Sequence, residues 1–95
     1  MVYVDKVRYA KDSNGNELYI SEMKWTNTLS ENAYNRCTKA DMIKFINDNP
    51  GCAHTKYYRF GRWYDGEEIH VVDNSYLRTD KNNIKADNLE NLPRY

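Results

Sequence analysis

SYLRTDKNNIKADNLENLPRY, residues 75–95, runs from a strand-like segment through a polar turn to an apolar close at Leu-Pro. Ser75-Tyr76-Leu77-Arg78-Thr79 mixes an aromatic, an aliphatic and a β-branched residue with one charge, which predicts a short, half-buried strand. Asp80-Lys81-Asn82-Asn83 predicts a turn, because Asn and Asp bond their own backbone and tolerate left-handed conformations. Ile84, Leu89 and Leu92 follow, with Asp87 and Asn88 placed to cap a single helical turn and Pro93 to end it. The segment reads as an apolar clasp over one end of a sheet.

Upstream, Tyr64-Asp65-Gly66-Glu67 reads as a turn leading into Ile69, Val71 and Val72, the strand richest in β-branched residues, and Asp73-Asn74 turns the chain again before the tail. At the N-terminus, Val2, Val4, Val7 and Tyr9 alternate imperfectly, which predicts a strand with one irregularity or a shift of its buried face. Leu18, Ile20, Met23 and Trp25 mark a second strand whose phase also slips midway. Asp12-Ser13-Asn14-Gly15-Asn16 joins the two as a hairpin turn, with Asn-Gly supplying positive φ. The same residues begin like a calcium loop but fail the test, since Glu17 stands where glycine is required and Met23 where a bidentate glutamate is.

Asn27 to Arg36 is polar and unperiodic apart from Leu29, Ala33 and Tyr34, and reads as a connecting loop or one weak helical turn begun by Ser30. A helix follows: Thr38 with Asp41 makes an N-terminal cap, Met42, Ile43, Phe45 and Ile46 form an apolar stripe, and Asn49-Pro50-Gly51 ends it. Such a stripe packs on the chain's own sheet or serves as a groove-binding surface, and the scarcity of other core residues favours the first. The expected architecture is a single α+β domain over 1–95: about five mostly antiparallel strands on one helix, closed by a C-terminal helical turn.

Tyr76-Leu77-Arg78-Thr79, Asp87-Asn88-Leu89 and Leu92-Pro93 together resemble the closing signature of the small bacterial and phage family catalogued as domain of unknown function thirty-eight ninety-two. In the N-terminal half the resemblance is one of element order, two strands and then a helix. It implies no reaction, cofactor or catalytic residue.

Chemistry concentrates in His54-Thr55-Lys56-Tyr57-Tyr58-Arg59-Phe60-Gly61-Arg62-Trp63-Tyr64, where five aromatics and three cations fall within eleven residues. As one extended run it places Thr55, Tyr57, Arg59 and Trp63 on one face and Lys56, Tyr58, Phe60, Arg62 and Tyr64 on the other. An outward aromatic face flanked by arginines can stack a base and hold a phosphate. The same residues can instead be core and cross-strand cover, the reading a small sheet protein favours. The candidate ligand- or partner-binding residues are Lys56, Tyr58, Arg59, Arg62, Trp63, Tyr64 and Arg78.

With 14 basic and 14 acidic residues the chain is formally neutral, which argues against general nucleic-acid binding over an extended basic face. Neither a membrane-length apolar run nor a signal-peptide pattern at Met1-Val2-Tyr3 is present, so a cytoplasmic location is expected. Cys37 and Cys52 lack the tight Cys-x-x-Cys spacing that with His54 and His70 would announce zinc, and in a chain with no export signal free thiols are the ordinary expectation. No phosphate loop, nucleophile elbow or paired helical histidines occur, and no cofactor or metal is expected.

Two functional classes remain. The first is a non-enzymatic binding module engaging a protein or a nucleotide-like ligand; the Asn-, Lys-, Tyr-, Ile- and Asp-rich composition of a low-GC bacterium or its phage would suit an inhibitor of a host defence system. The alternative is a small hydrolase or transferase using Cys52, His54 or His70 at an oligomer interface, and an uncovered sheet edge leaves pairing with a second copy open.

Overall fold

The computed structural model describes residues 1–80 and 84–95, so the expected turn at Lys81-Asn82-Asn83 lies outside the described residues. Among those residues the chain forms β1 (Val2–Lys11), β2 (Glu17–Thr26), β3 (Asn35–Thr38), α1 (Lys39–Asp48), β4 (Ala53–Arg59), β5 (Arg62–Glu68), β6 (His70–Val72) and β7 (Tyr76–Arg78). Five strands make one sheet in the order β3-β2-β1-β4-β5, and β6 with β7 makes a second, two-stranded one. Every pairing is antiparallel except β1 with β4. The α+β class holds, with two short strands more than expected.

β1 and β2 are joined by a turn in which Asp12 accepts hydrogen bonds from the amides of Asn14 and Asn16 on its carboxylate, both at 2.9 Å. Gly15 alone takes positive φ there, at 82°, and Asn14 does not. Both slips of alternation are real irregularities: Asp5 is an unmatched residue between the Val4–Trp25 and Lys6–Lys24 pairs, and Ser21 is one in β2. The undecided loop after β2 leads directly into β3, which pairs Asn35 to Thr38 along β2.

Thr38 caps α1 by accepting the Asp41 amide at 3.1 Å. Met42, Ile43 and Ile46 are buried against Val2, Val4, Ile20, Met23 and Leu77, so the helix stripe is core. The face of the large sheet that meets the helix carries Val2, Val4 and Ala53. Tyr3, His54 and Lys56 alternate with these and face the other way.

Two expectations are corrected. Asp65-Gly66 is not the turn, because Phe60 and Gly61, with φ of 53° and 79°, close β4 onto β5 in a two-residue connection between paired Arg59 and Arg62. Gly66 instead lies at a bulge so tight that an added Cβ would stand 2.9 Å from the Thr55 carbonyl oxygen. The tail likewise forms no helical turn among its described residues. It bends at 85–86 and turns at 90–91, stitched to β7 by Asn88 N–H donating to Leu77 O (2.8 Å), and to β1 by Val7 N–H donating to Pro93 O (3.0 Å) and Tyr95 N–H to Val7 O (3.2 Å). The clasp itself is there: Leu89 and Leu92 are buried in the core, while Ile84 is exposed.

Candidate ligand-binding crevice

β1 and β4 pair only from Val2 to Val4 against Ala53 to Thr55 and then separate. Beyond that point β1 gives its edge to the tail at Val7, and β4 turns away into its hairpin with β5. Two adjacent parallel strands whose connections leave in opposite directions open a crevice at their carboxyl ends, the position where open sheets containing parallel strands place ligands. Here the gap is a cavity of about 550 Å³ lined by Asp5 and Lys6 of β1, Asn32 of the loop, Lys56, Tyr57 and Tyr58 of β4, Trp63 of β5, and Asn91 and Pro93 of the tail. That volume lies within the range of small-molecule sites, roughly 300–1,000 Å³.

The hairpin forms its wall. Because the turn contains two residues, Arg59 pairs with Arg62, Tyr58 with Trp63 and Tyr57 with Tyr64. Trp63 therefore shares a face with Lys56 and Tyr58, and Tyr64 with Tyr57. Both placements reverse the assignment that a single extended run implied. Tyr58 and Trp63 meet edge to face at 5.3 Å, and Tyr57 and Tyr64 stack at 5.4 Å on the opposite face.

Of the expected site residues, Tyr58 is 61% exposed, Arg59 and Arg62 are exposed beside the hairpin tip, and Trp63 is half-buried. Tyr64, also half-buried, faces away from the crevice. Lys56 is 0% exposed: its ammonium donates to the carbonyl oxygens of Thr28, Leu29 and Glu31 and lies 4.3 Å from the Trp63 ring centre. Burial pushes its pKa down, opposed by the charges of Asp5 and Glu31. Arg78 is buried away from the crevice, donating to Asp80 through Nε and Nη2 (2.7 and 2.6 Å) and to Ala86 O (2.9 Å). The structure thus gathers Tyr58 and Trp63 over a buried Lys56, sets Arg59 and Arg62 on the far face of the hairpin beside Tyr57, and gives Arg78 an internal task.

Asp5, Lys6 and Asn32 were missed by sequence reading. The broken alternation at Val4-Asp5-Lys6-Val7 was the available signal for Asp5, since a bulge re-aims a side chain. Asp5 is 3% exposed; Oδ2 accepts the Ala33 amide at 2.9 Å, while buried Oδ1 has no hydrogen-bond partner and lies 3.7 Å from Lys6 Nζ.

The profile of the family described as "Protein of unknown function (DUF3892)" matches residues 3–93, both the tail and the strands that line the crevice. The chain belongs to this family. No curated protein and no solved structure matches it significantly. In this DUF3892 domain no helix among the described residues is long and apolar enough to cross a membrane, and no three His, Cys, Asp or Glu side chains among them gather as a metal site.

The groups of the enzymatic alternative fall in two places of the DUF3892 fold, Cys52 and His54 around the start of β4 and His70 in β6. His54 Nδ1 is 2.8 Å from Asp65 Oδ1, His70 stands opposite Arg78 in the small sheet, and both cysteines are free and half-buried. Cys37 lines a small apolar hollow with Val2, Trp25, Met42 and Phe45. Burial, and then Asp41 and Glu22, push its thiol up to about 11. In the window between the ordinary 9.0 and about 11, the unfolded chain gives up this proton while the folded protein keeps it. Stability is therefore expected to fall as pH rises through that window, and Cys37→Ala is expected to flatten the fall, measured by urea denaturation across the pH range.

Proposed function

We propose that this domain is a non-enzymatic binding module that holds a planar, anionic, nucleotide-like ligand in the crevice between β1 and β4. One observation carries the reading: the exposed Tyr58 and the half-buried Trp63 stand together in the lining of a cavity that Lys6 and Asp5 also line. A planar ring stacks on Tyr58, and the anionic group meets Lys6. In this role the protein acts in the cytoplasm of a bacterium or its phage as an inhibitor that sequesters a signal nucleotide of a defence system. The crevice is built within one chain, so self-association through the sheet edges β3 and β5 is not required.

Phe60 favours a second reading. It is 89% exposed, at the hairpin tip, in a left-handed conformation that a bulky residue adopts at a cost. A protein partner would take hold there rather than in the crevice.

Titration of nucleoside monophosphates against tryptophan fluorescence, with Trp63→Phe to separate Trp63 from Trp25, tests the proposal. Tyr58→Ala is expected to weaken binding ~5–150-fold, the equivalent of ~1–3 kcal/mol for one stacked ring, with stability unchanged. An affinity unaffected by Tyr58→Ala removes the crevice reading. Partner capture lost on Phe60→Ser but kept on Tyr58→Ala establishes the second.

A further inference from the structure

The unused oxygen of Asp5 says more about the ligand than the aromatic wall does. A buried carboxylate oxygen without a donor is costly, and buried polar groups are otherwise almost always satisfied. Its neighbours do not supply the missing bond. Lys6 Nζ, at 3.7 Å, is too far for one, and the Lys56 ammonium is taken up by three backbone carbonyls. The Ala33 amide is committed to the other oxygen. Asp5 is, moreover, the unmatched residue of the β1 bulge, and it lines the crevice rather than the apolar core.

Resting on the crevice reading above, we infer that Asp5 is a specificity-determining residue that selects a guanine mononucleotide by accepting hydrogen bonds from the base edge. Guanine presents two adjacent donors, the ring N1–H and the exocyclic amino group, to a single acceptor. Adenine sets the N1 lone pair beside its amino group, and cytosine the N3 lone pair; either lone pair would face the carboxylate and be repelled. The N3–H of uracil is flanked by two carbonyl oxygens that meet the same repulsion. Stacking on the exposed Tyr58 holds the ring plane. Lys6, whose ammonium lies 3.7 Å from Oδ1 in the free protein, swings that ammonium from Asp5 to the phosphate as the base enters. One charge is thereby exchanged for another, and no net cation has to be buried. With 14 basic and 14 acidic residues the chain is formally neutral, which favours a free nucleotide over a polynucleotide as the ligand.

Isothermal titration of the full chain with GMP, IMP and AMP tests this directly. GMP is expected to bind ~10–100-fold tighter than AMP, the range of a hydrogen bond to a charged group, with IMP between them because it keeps N1–H and lacks the amino group. Asp5→Asn keeps an acceptor for the Ala33 amide and turns a donor toward the crevice, so the preference for GMP over AMP is expected to disappear or invert while Trp63 quenching persists. Should Asp5→Asn not fold, the order GMP, IMP, AMP on the natural chain decides alone. Equal affinities for GMP and AMP, with quenching of Trp63, overturn the role of Asp5 and leave the crevice reading standing. Absence of binding to any of the three nucleotides overturns both. A guanine-containing oligonucleotide that binds tighter than GMP overturns the assignment to a free nucleotide.

Discussion

Replacement of Asp87 by alanine is expected to cost about 3–5 kcal/mol of stability, the range for removing one partner of a buried ion pair. Its carboxylate is almost wholly buried and serves three separate elements. Oδ1 accepts the Leu77 amide of β7 at 2.9 Å, and Oδ2 accepts the Ile20 amide of β2 at 2.8 Å and the Lys39 ammonium of α1 at 3.0 Å. Alanine leaves two backbone N–H groups without their acceptor and strands Lys39 between the rings of Tyr19 and Tyr76. A domain of this size has only about 5–15 kcal/mol in all, so the variant is expected to lie near its unfolding threshold. Asp87→Asn keeps one acceptor and loses the charge, and is expected to fall between alanine and the natural chain. Urea denaturation midpoints measure all three. A cost below about 0.5 kcal/mol for Asp87→Ala, typical of a surface change, would show that the clasp holds without its carboxylate.

Lys56→Met is expected to produce the second large loss, again about 3–5 kcal/mol, because methionine fills the volume but donates nothing to the carbonyls of Thr28, Leu29 and Glu31. The loop that supplies Asn32 and the Ala33 amide should then lose its anchor, exposing Asp5. Hydrogen exchange at Ala33 is expected to accelerate well beyond what the global loss of stability accounts for, and nucleotide binding in the crevice is expected to vanish with it. Unchanged exchange at Ala33 would mean that the loop is held by other contacts. The contrast with Tyr58→Ala is the informative one, since that change should affect the ligand and spare the fold.

Asp87 also shows what sequence reading can and cannot see. A carboxylate in a polar segment before buried leucines was read as a cap for local amides. The chemistry is right, but the amides it holds are those of residues 77 and 20, one of them sixty-seven positions away. Thr38, whose donor is three residues on, was legible because the helix brings Asp41 back to it whatever the rest of the chain does. In the hairpin, Asp-Gly looked like the turn, yet Phe60-Gly61 made it; a glycine needed for close approach to Thr55 carries the same letter as one needed for positive φ.

Local rules acting over a few residues thus determined the β1–β2 hairpin, the capped helix with its buried stripe, the α+β class and the presence of an apolar clasp. Only the tertiary structure decided that β1 lies parallel to β4, that the two then part, and that Lys56 turns inward while Tyr58 stays out. Alternation states that neighbours on a strand face opposite sides; it does not state which side another segment will cover. The loop at 28–33 covers the side carrying Lys56, and a contact between segments so far apart in the chain leaves no periodic mark on either of them.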